Sequence, residues 1–252
     1  MQARTTSEGR YDDSFFNYSD RVSEQSAQHI VPVVQSLVPN IESVVDFGCA
    51  RGVWLRVWAE NGVQTVCGLD GDYVDRDSLH ISPDAFFTRD ISQPINLNRR
   101  FDLVQSLEVA EHLPAASAVG FVETLTSHGD VVLFSAAPPG QGGAYHVNEQ
   151  PYAYWRDLFA ERRYELFDCL RPRIINETGL QVWYRFNSFL FVHEDRVPEL
   201  SGDVRATQIP KNKPVPDISP ISYRLRKAVV TLLPSSVENS IAAMASKWRG
   251  NR

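Results

Sequence analysis

The stretch SLEVAEHL, Ser106 to Leu113, places Glu108, Glu111 and His112 close together along the chain. Two carboxylates and an imidazole at this spacing can move protons, since histidine titrates near pH 6.5. Oxygen and nitrogen donors together also suit a hard or borderline divalent ion such as Mg²⁺, Mn²⁺ or Zn²⁺. Glu108 and Glu111 are three apart, and Glu108 and His112 are four apart, so a helical turn beginning there projects all three to one side. The apolar run FDLVQ just before them reads as a buried strand. The cluster therefore falls past a strand's carboxyl end, where open parallel sheets bind ligands.

A second cluster precedes it. In VVDFGCARG, Asp46, Gly48 and Gly52 occupy a strand-to-helix turn with the spacing D-x-G-x-x-x-G. Glycines there let a ligand approach the backbone, and the next helix offers unpaired amide hydrogens. The spacing is not the G-x-G-x-x-G that favours a pyrophosphate. Asp70 ends the next strand, where a carboxylate can accept from ribose hydroxyls, and Asp90 ends the one after, where it can accept from an adenine amino group or merely cap the next turn.

The elements that must position these residues follow from periodicity. Residues 1 to 20 show no period and read as an arm or lid. A helix is expected from Asp20 to Val38, ended by Pro39. Strands are expected at 44–48, 65–70, 85–90, 101–107 and 130–137, with helices at 52–61 (closed by Gly62), 114–127 and 151–162. Apolar strands alternating with helices imply a parallel sheet covered on both faces. YELFDCLR (164–171) and the long VWYRFNSFLFV (182–192) lack a crossover helix between them and predict an antiparallel pair. The expected fold is α/β: a Rossmann-like, doubly wound seven-stranded sheet, mostly parallel with an antiparallel edge strand. The domain boundaries expected are an N-terminal arm and helix over 1–40, a cofactor-binding domain over 41–195, and a linker with a helical tail over 196–252.

VVDFGCARG, VCGLD, FFTRD, FDLVQSLEVAEHL and GDVVLFSAAPP, in this order, resemble the successive motifs of class I S-adenosylmethionine-dependent methyltransferases over about Val44 to Val192. The resemblance implies S-adenosylmethionine as cofactor, with Asp46, Gly48 and Gly52 at the methionine moiety, Asp70 at the ribose, and Asp90 with Ile91 at the adenine. Ala50 stands where many members have glycine, a departure compatible with a negative φ. The E-x-x-E-H pattern is similar to that of small-RNA 3′-terminal 2′-O-methyltransferases and ubiquinone-pathway O-methyltransferases. By that likeness Glu108, Glu111 and His112 would hold a divalent metal, with His146 of GGAYHVNEQ as fourth ligand. In the metal-free alternative the glutamates fix a turn and His146 or His112 is the general base, so Glu108, His112 and His146 are the candidate catalytic residues. Tyr11, Phe15, Phe16 and Tyr18, with Tyr145, Tyr152 and Trp155, are candidates to close over a flat or sugar-like acceptor, or, for those after 150, to be helix core.

Composition narrows the function further. The 252 residues carry a net charge of −6. Nine Lys or Arg against three Asp or Glu from Asp203 onward put +6 on the tail and leave −12 on the first 202 residues. An acidic body opposes extended nucleic-acid binding, because affinity for polyanions comes largely from released counterions. The function expected is methyl transfer to a small-molecule acceptor, most simply a hydroxyl of a sugar or other biosynthetic intermediate. The alternatives are RNA 2′-O-methylation and a non-catalytic assembly subunit. No run approaches the roughly 18 apolar residues of a membrane span, and the first residues lack a secretory pattern, so a cytoplasmic setting is expected. Cys49, Cys67 and Cys169 are expected reduced. Ile221–Leu233 reads as a basic amphipathic helix. Ser235 and Glu238 have capping-box spacing ahead of Ile241, Met244, Ala245 and Trp248, which makes the tail a candidate for homodimer contacts.

Overall fold

The computed structural model describes residues 13–232. Tyr11 and the expected second tail helix around Ile241–Trp248 lie outside them, as does the first part of the arm. The element order is α1 (Asp13–Leu37), β1 (Ser43–Phe47), α2 (Val53–Glu60), β2 (Thr65–Asp70), β3 (Phe86–Thr88), β4 (Leu103–Leu107), α3 (Ala118–His128) and β5 (Val131–Ser135). Then come α4 (Tyr152–Ala160), β6 (Tyr164–Phe167), α5 (Arg171–Ile174), α6 (Val182–Asn187), β7 (Phe189–His193), α7 (Gly202–Arg205) and α8 (Ile221–Val230).

The seven strands form one sheet in the order β3-β2-β1-β4-β5-β7-β6. β1 to β5 pair in parallel, and β7 runs antiparallel to both β5 and β6. The reversed strand thus sits between β5 and β6, with Leu133 opposite Leu190 and Leu166 opposite Phe191. β1, β4 and β5 are almost wholly buried, as strands covered on both faces must be. One apolar cluster joins Val44, Leu103 and Leu133 to Ile30, Trp58 and Ile174; the other joins Val45, Val104 and Val132 to Phe121, Trp155 and Phe159.

Three local expectations are corrected. The helix at the start runs back to Asp13 rather than Asp20, because Phe16 and Val22 continue the buried face of Ala27, Ile30 and Val34. The strand expected over 164–171 stops at Phe167, and Arg171 opens α5 with its guanidinium on the Asp168 carboxylate at 2.7 Å. The single strand expected over 182–192 is a helix followed by a strand. Its β-prone aromatics are used at helical spacing, with Tyr184 edge-on to Trp54 at 5.2 Å, and the chain becomes extended only at Phe189.

The segment expected as a linker packs back on the domain: Leu200 and Val204 are buried, and the Ile209 amide bonds the Leu166 carbonyl beside the outermost strand. α8 turns Lys227 inward to Asp217 and leaves Ile221, Leu225, Val229 and Leu232 exposed. The three cysteines are buried and unbridged. Among the described residues no helix is long and apolar enough to cross a membrane.

Candidate active site

The first glycine turn is built from β1 outward. Gly48 and Gly52 have φ of +90° and +83°, the left-handed region where a side chain costs energy. Ala50 also lies there, at +48°. This corrects the expectation of a negative φ: the turn keeps the geometry of a glycine-rich loop, and Ala50 bears the strain. The amides of Gly48 and Cys49 reach the Leu69 carbonyl, and the Ala50 amide donates to the Asp70 carboxylate at 2.7 Å. The Arg89 amide donates to the Asp70 carbonyl at 2.7 Å. The carboxyl ends of β1, β2 and β3 are thereby tied into one edge, with Asp46, Asp70 and the residues before Asp90 along it.

The three acids have different surroundings. Asp46 is buried and accepts from Gln105 at 2.9 Å, whose amide oxygen accepts from Trp58 at 2.9 Å. Burial pushes the Asp46 carboxyl up to about 8, partly opposed by the Gln105 bond. Asp70 accepts from the Ala50 and Gly71 amides and the Tyr73 hydroxyl; burial raises its pKa and these three bonds oppose the rise. Asp90 is exposed and holds the amide and hydroxyl of Ser92 at 3.0 and 2.6 Å, forming a turn across Ile91, whose side chain is buried in the core.

The second cluster packs directly on the first. A Cβ at Gly48 would fall 2.4 Å from a methyl of Val109, so the absence of a side chain there lets the EVAEH turn close on the glycine turn. The expected helical projection of Glu108, Glu111 and His112 is corrected: Glu108 takes φ +56°, and only Ala110–His112 form a tight 3₁₀ turn. The reversal at Glu108 follows from the end of β4, where its amide is held by the Ser135 carbonyl and hydroxyl at 3.0 and 3.1 Å. Its carboxylate is not among the converging ligand atoms of the other two and accepts from Gln141 at 2.6 Å and Asn187 at 3.1 Å.

Glu111, His112 and His146 converge, with one ligand-capable atom from each within 4.8 Å of the others. The His112 and His146 rings meet edge-on with centroids 4.8 Å apart. Neither Glu111 oxygen nor Nδ1 of His112 has a hydrogen-bond partner, although all are buried. Burial, then the Glu108 charge, drives the Glu111 carboxyl well above its ordinary range; the amides of Glu111 and Ala137 temper this without reaching hydrogen-bond geometry. Burial and the neighbouring His146 bring His112 down to about 3.

His146 is carried by the loop after β5, and the loop is fastened at both ends. The Glu149 carboxylate accepts from the Gly140 and Gly142 amides, both at 2.8 Å, and lies 2.6 Å from Nδ1 of His146. The amides of Val147 and Asn148 bond the Glu111 carbonyl. Tyr145 is exposed, whereas Tyr152 and Trp155 are buried in α4 and belong to the core; Phe16 is buried against the Arg51 guanidinium at 4.7 Å. Two open surface cavities, one under Thr207–Pro210 and one beside Arg100 and His193, lie away from this edge.

Sequence reasoning missed Gln141, Asn187, Glu149 and Gln105. A polar residue inside an otherwise apolar strand, as Gln105 is, was the available signal, and Glu149 stands three residues after His146 as an orienting acid would. Asn187 was hidden by the misread strand.

The profile of the family described as Methyltransferase domain matches residues 18–182, well over half of the chain. The chain belongs to that family, among the class I S-adenosylmethionine-dependent methyltransferases. Among solved structures it is similar to the sugar N-methyltransferase KedS8 from Streptoalloteichus sp ATCC 53650, at 14% identity over 77% of this chain and 96% of that one, with a TM-score of 0.56. It is also similar to magnesium protoporphyrin IX methyltransferase (ChlM) from Synechocystis PCC 6803 with bound SAM, at 21% identity over 74% and 87% of the two chains, TM-score 0.51. At such identities the likeness is one of fold. No curated protein matches significantly.

Proposed function

We propose that the chain transfers the methyl group of S-adenosylmethionine to a hydroxyl of a small biosynthetic acceptor, a sugar or a related intermediate, with His146 as general base. The observation that carries this reading is the His146–Glu149 pair, on the loop whose Val147 and Asn148 amides bond Glu111 in the turn packed on Gly48. The sulfonium is already an activated donor, so alignment of the acceptor oxygen with the methyl and exclusion of water supply most of the acceleration. In this reading Asp46, Gly48 and Gly52 face the methionine moiety, Asp70 the ribose, and Asp90 and Ile91 the adenine. An oxygen nucleophile must also lose a proton. When Nδ1–H of His146 donates to Glu149, Nε2 is left bare to take that proton, and the carboxylate stabilises the resulting imidazolium. His146→Ala should lower kcat by about 10²- to 10⁴-fold with cofactor affinity retained; full turnover in that variant would remove His146 from the chemistry.

A second version of the same reading is favoured by the convergence of Glu111, His112 and His146. The donor set of one carboxylate and two imidazoles fits a borderline divalent cation, and the orphaned buried oxygens of Glu111 are the feature such an ion would satisfy. A bound ion there would polarise the acceptor hydroxyl as a Lewis acid. Glu108, held by Gln141 and Asn187, would support the turn rather than join the ligands. Titration of the purified protein with Mn²⁺ or Zn²⁺ should show binding of one ion that Glu111→Gln abolishes; equal binding by both proteins would reject this version.

A further inference from the structure

Tyr73 is used by nothing described so far, yet its hydroxyl lies on the carboxylate assigned to the ribose. In DGDY, residues 70 to 73, the chain turns back on itself after β2. The fold-back depends on Gly71: a Cβ there would lie 2.3 Å from the Tyr73 ring, so only glycine lets the ring lie over this backbone and its phenol reach Asp70.

The lone pairs of Asp70 are nearly all spoken for. A carboxylate offers about four acceptor positions. Oδ1 takes the Gly71 amide and the Tyr73 hydroxyl, and Oδ2 takes the Ala50 amide. A vicinal diol that grips a carboxylate with both hydroxyls needs one position on each oxygen. Oδ2 has one to give; Oδ1 has none. The two amides belong to the backbone of the glycine turn and the strand end and cannot leave without dismantling it. The phenol belongs to a residue that is 36% exposed, and it can move without unfolding the turn.

We propose that Tyr73 is a specificity gate at the ribose subsite: its hydroxyl competes with one ribose hydroxyl for Oδ1 of Asp70 and must swing out when the cofactor binds. The inference rests on the assignment of Asp70 to the ribose. A diol that displaces the phenol regains the bond by its second hydroxyl, whereas a ligand whose one remaining hydroxyl faces Oδ2 uses the open position there and leaves the phenol in place. The gate therefore sets a cost on cofactor binding that depends on the ribose itself.

The test is calorimetric titration of the full chain with S-adenosylhomocysteine and with its 2′-deoxy and 3′-deoxy counterparts, for the wild type and for Tyr73→Phe. Phenylalanine keeps the ring on Gly71 and removes only the hydroxyl. S-adenosylhomocysteine should bind Tyr73→Phe about three- to tenfold more tightly than the wild type, the scale of one lost competing hydrogen bond, and one of the two deoxy ligands should show no such gain. Gly71→Ala, which pushes the ring off Asp70 with the hydroxyl intact, should move affinity in the same direction. Weaker or unchanged binding to Tyr73→Phe, or a gain equal for all three ligands, would overturn the gate. Asp70→Ala separates this from failure of the site assignment. If Asp70→Ala binds S-adenosylhomocysteine as the wild type does, the ribose lies elsewhere and the gate falls with it; if it loses affinity, the Tyr73→Phe result judges the gate alone.

Discussion

Asp46 is the residue whose state the fold has shifted most usefully. With its carboxyl held at about 8 by burial, it is largely protonated at pH 7. A cofactor that brings positive charge to the first glycine turn favours the ionised form, so binding at pH 7 should release a fraction of a proton. The release should fade well above pH 8, where Asp46 is already ionised. Calorimetry of S-adenosylmethionine in buffers of differing ionisation enthalpy should register this, and Asp46→Asn should abolish it; release that persists in the variant would place the titrating group elsewhere. The same shift acts on stability with a definite sign. A carboxyl raised above its unfolded value contributes fully below about pH 4 and loses that contribution as pH rises toward 8. Ala50 gives a second residue-scale expectation. Its φ of +48° costs an L-residue about 1–2 kcal/mol, of which the greater freedom of unfolded glycine cancels part. Ala50→Gly should therefore raise the melting temperature by a few degrees, corresponding to about 0.5–1 kcal/mol, and a lower one would show that the alanine is not strained. That Gly48 and Gly52 lie in the turn between β1 and α2, and that Asp70 ends β2, was legible in the sequence from the strand-to-turn pattern. The sign of φ at Ala50 was not, since the turn dictates it whatever residue stands there.

At the scale of elements, the site depends on two short connections that periodicity does not report. The turn after β4 and the loop after β5 are joined through the Glu111 carbonyl and the Glu108–Gln141 bond, while the Glu149 clamp closes the loop on itself. Sequence spacing placed Glu108, Glu111 and His112 together on one helical face; Glu108 departs from it because its backbone takes a positive φ before the 3₁₀ turn of Ala110–His112 begins. His146 lay where a loop at the sheet's carboxyl edge was expected, yet only the structure shows what orients it. In the metal-free version Glu149 is a positioning residue. Glu149→Gln should lower kcat and alter the pH profile of kcat while KM for the cofactor holds, and the profile would be unmoved if Glu149 merely stiffened the loop. The aromatic run before β7 misled for a physical reason: residues with strand preference form α6 because their rings fill space against Trp54 and Tyr223.

For the whole molecule, the order β3-β2-β1-β4-β5-β7-β6 sets the ends of β1, β2 and β3 beside the turns after β4 and β5. Alternation of strands and helices made the parallel part of the sheet legible, and the short joint between residues 171 and 182 made the antiparallel pair legible. The packing of the segment after His193 was not, because its Pro- and Lys-rich composition reads as a linker until Leu200, Val204 and Ile209 are seen against the outer strands. The acidic body and basic tail remain a reason to look for small acceptors before polyanions. All of this turns on one cofactor occupying the edge shared by β1, β2 and β3. Titration of S-adenosylmethionine into the wild type and into Asp70→Ala tests it most directly. The wild type should bind at one site per chain and the variant at least tenfold more weakly, the loss expected when two hydrogen bonds to a charged carboxylate disappear. Equal affinity in the two proteins would contradict it.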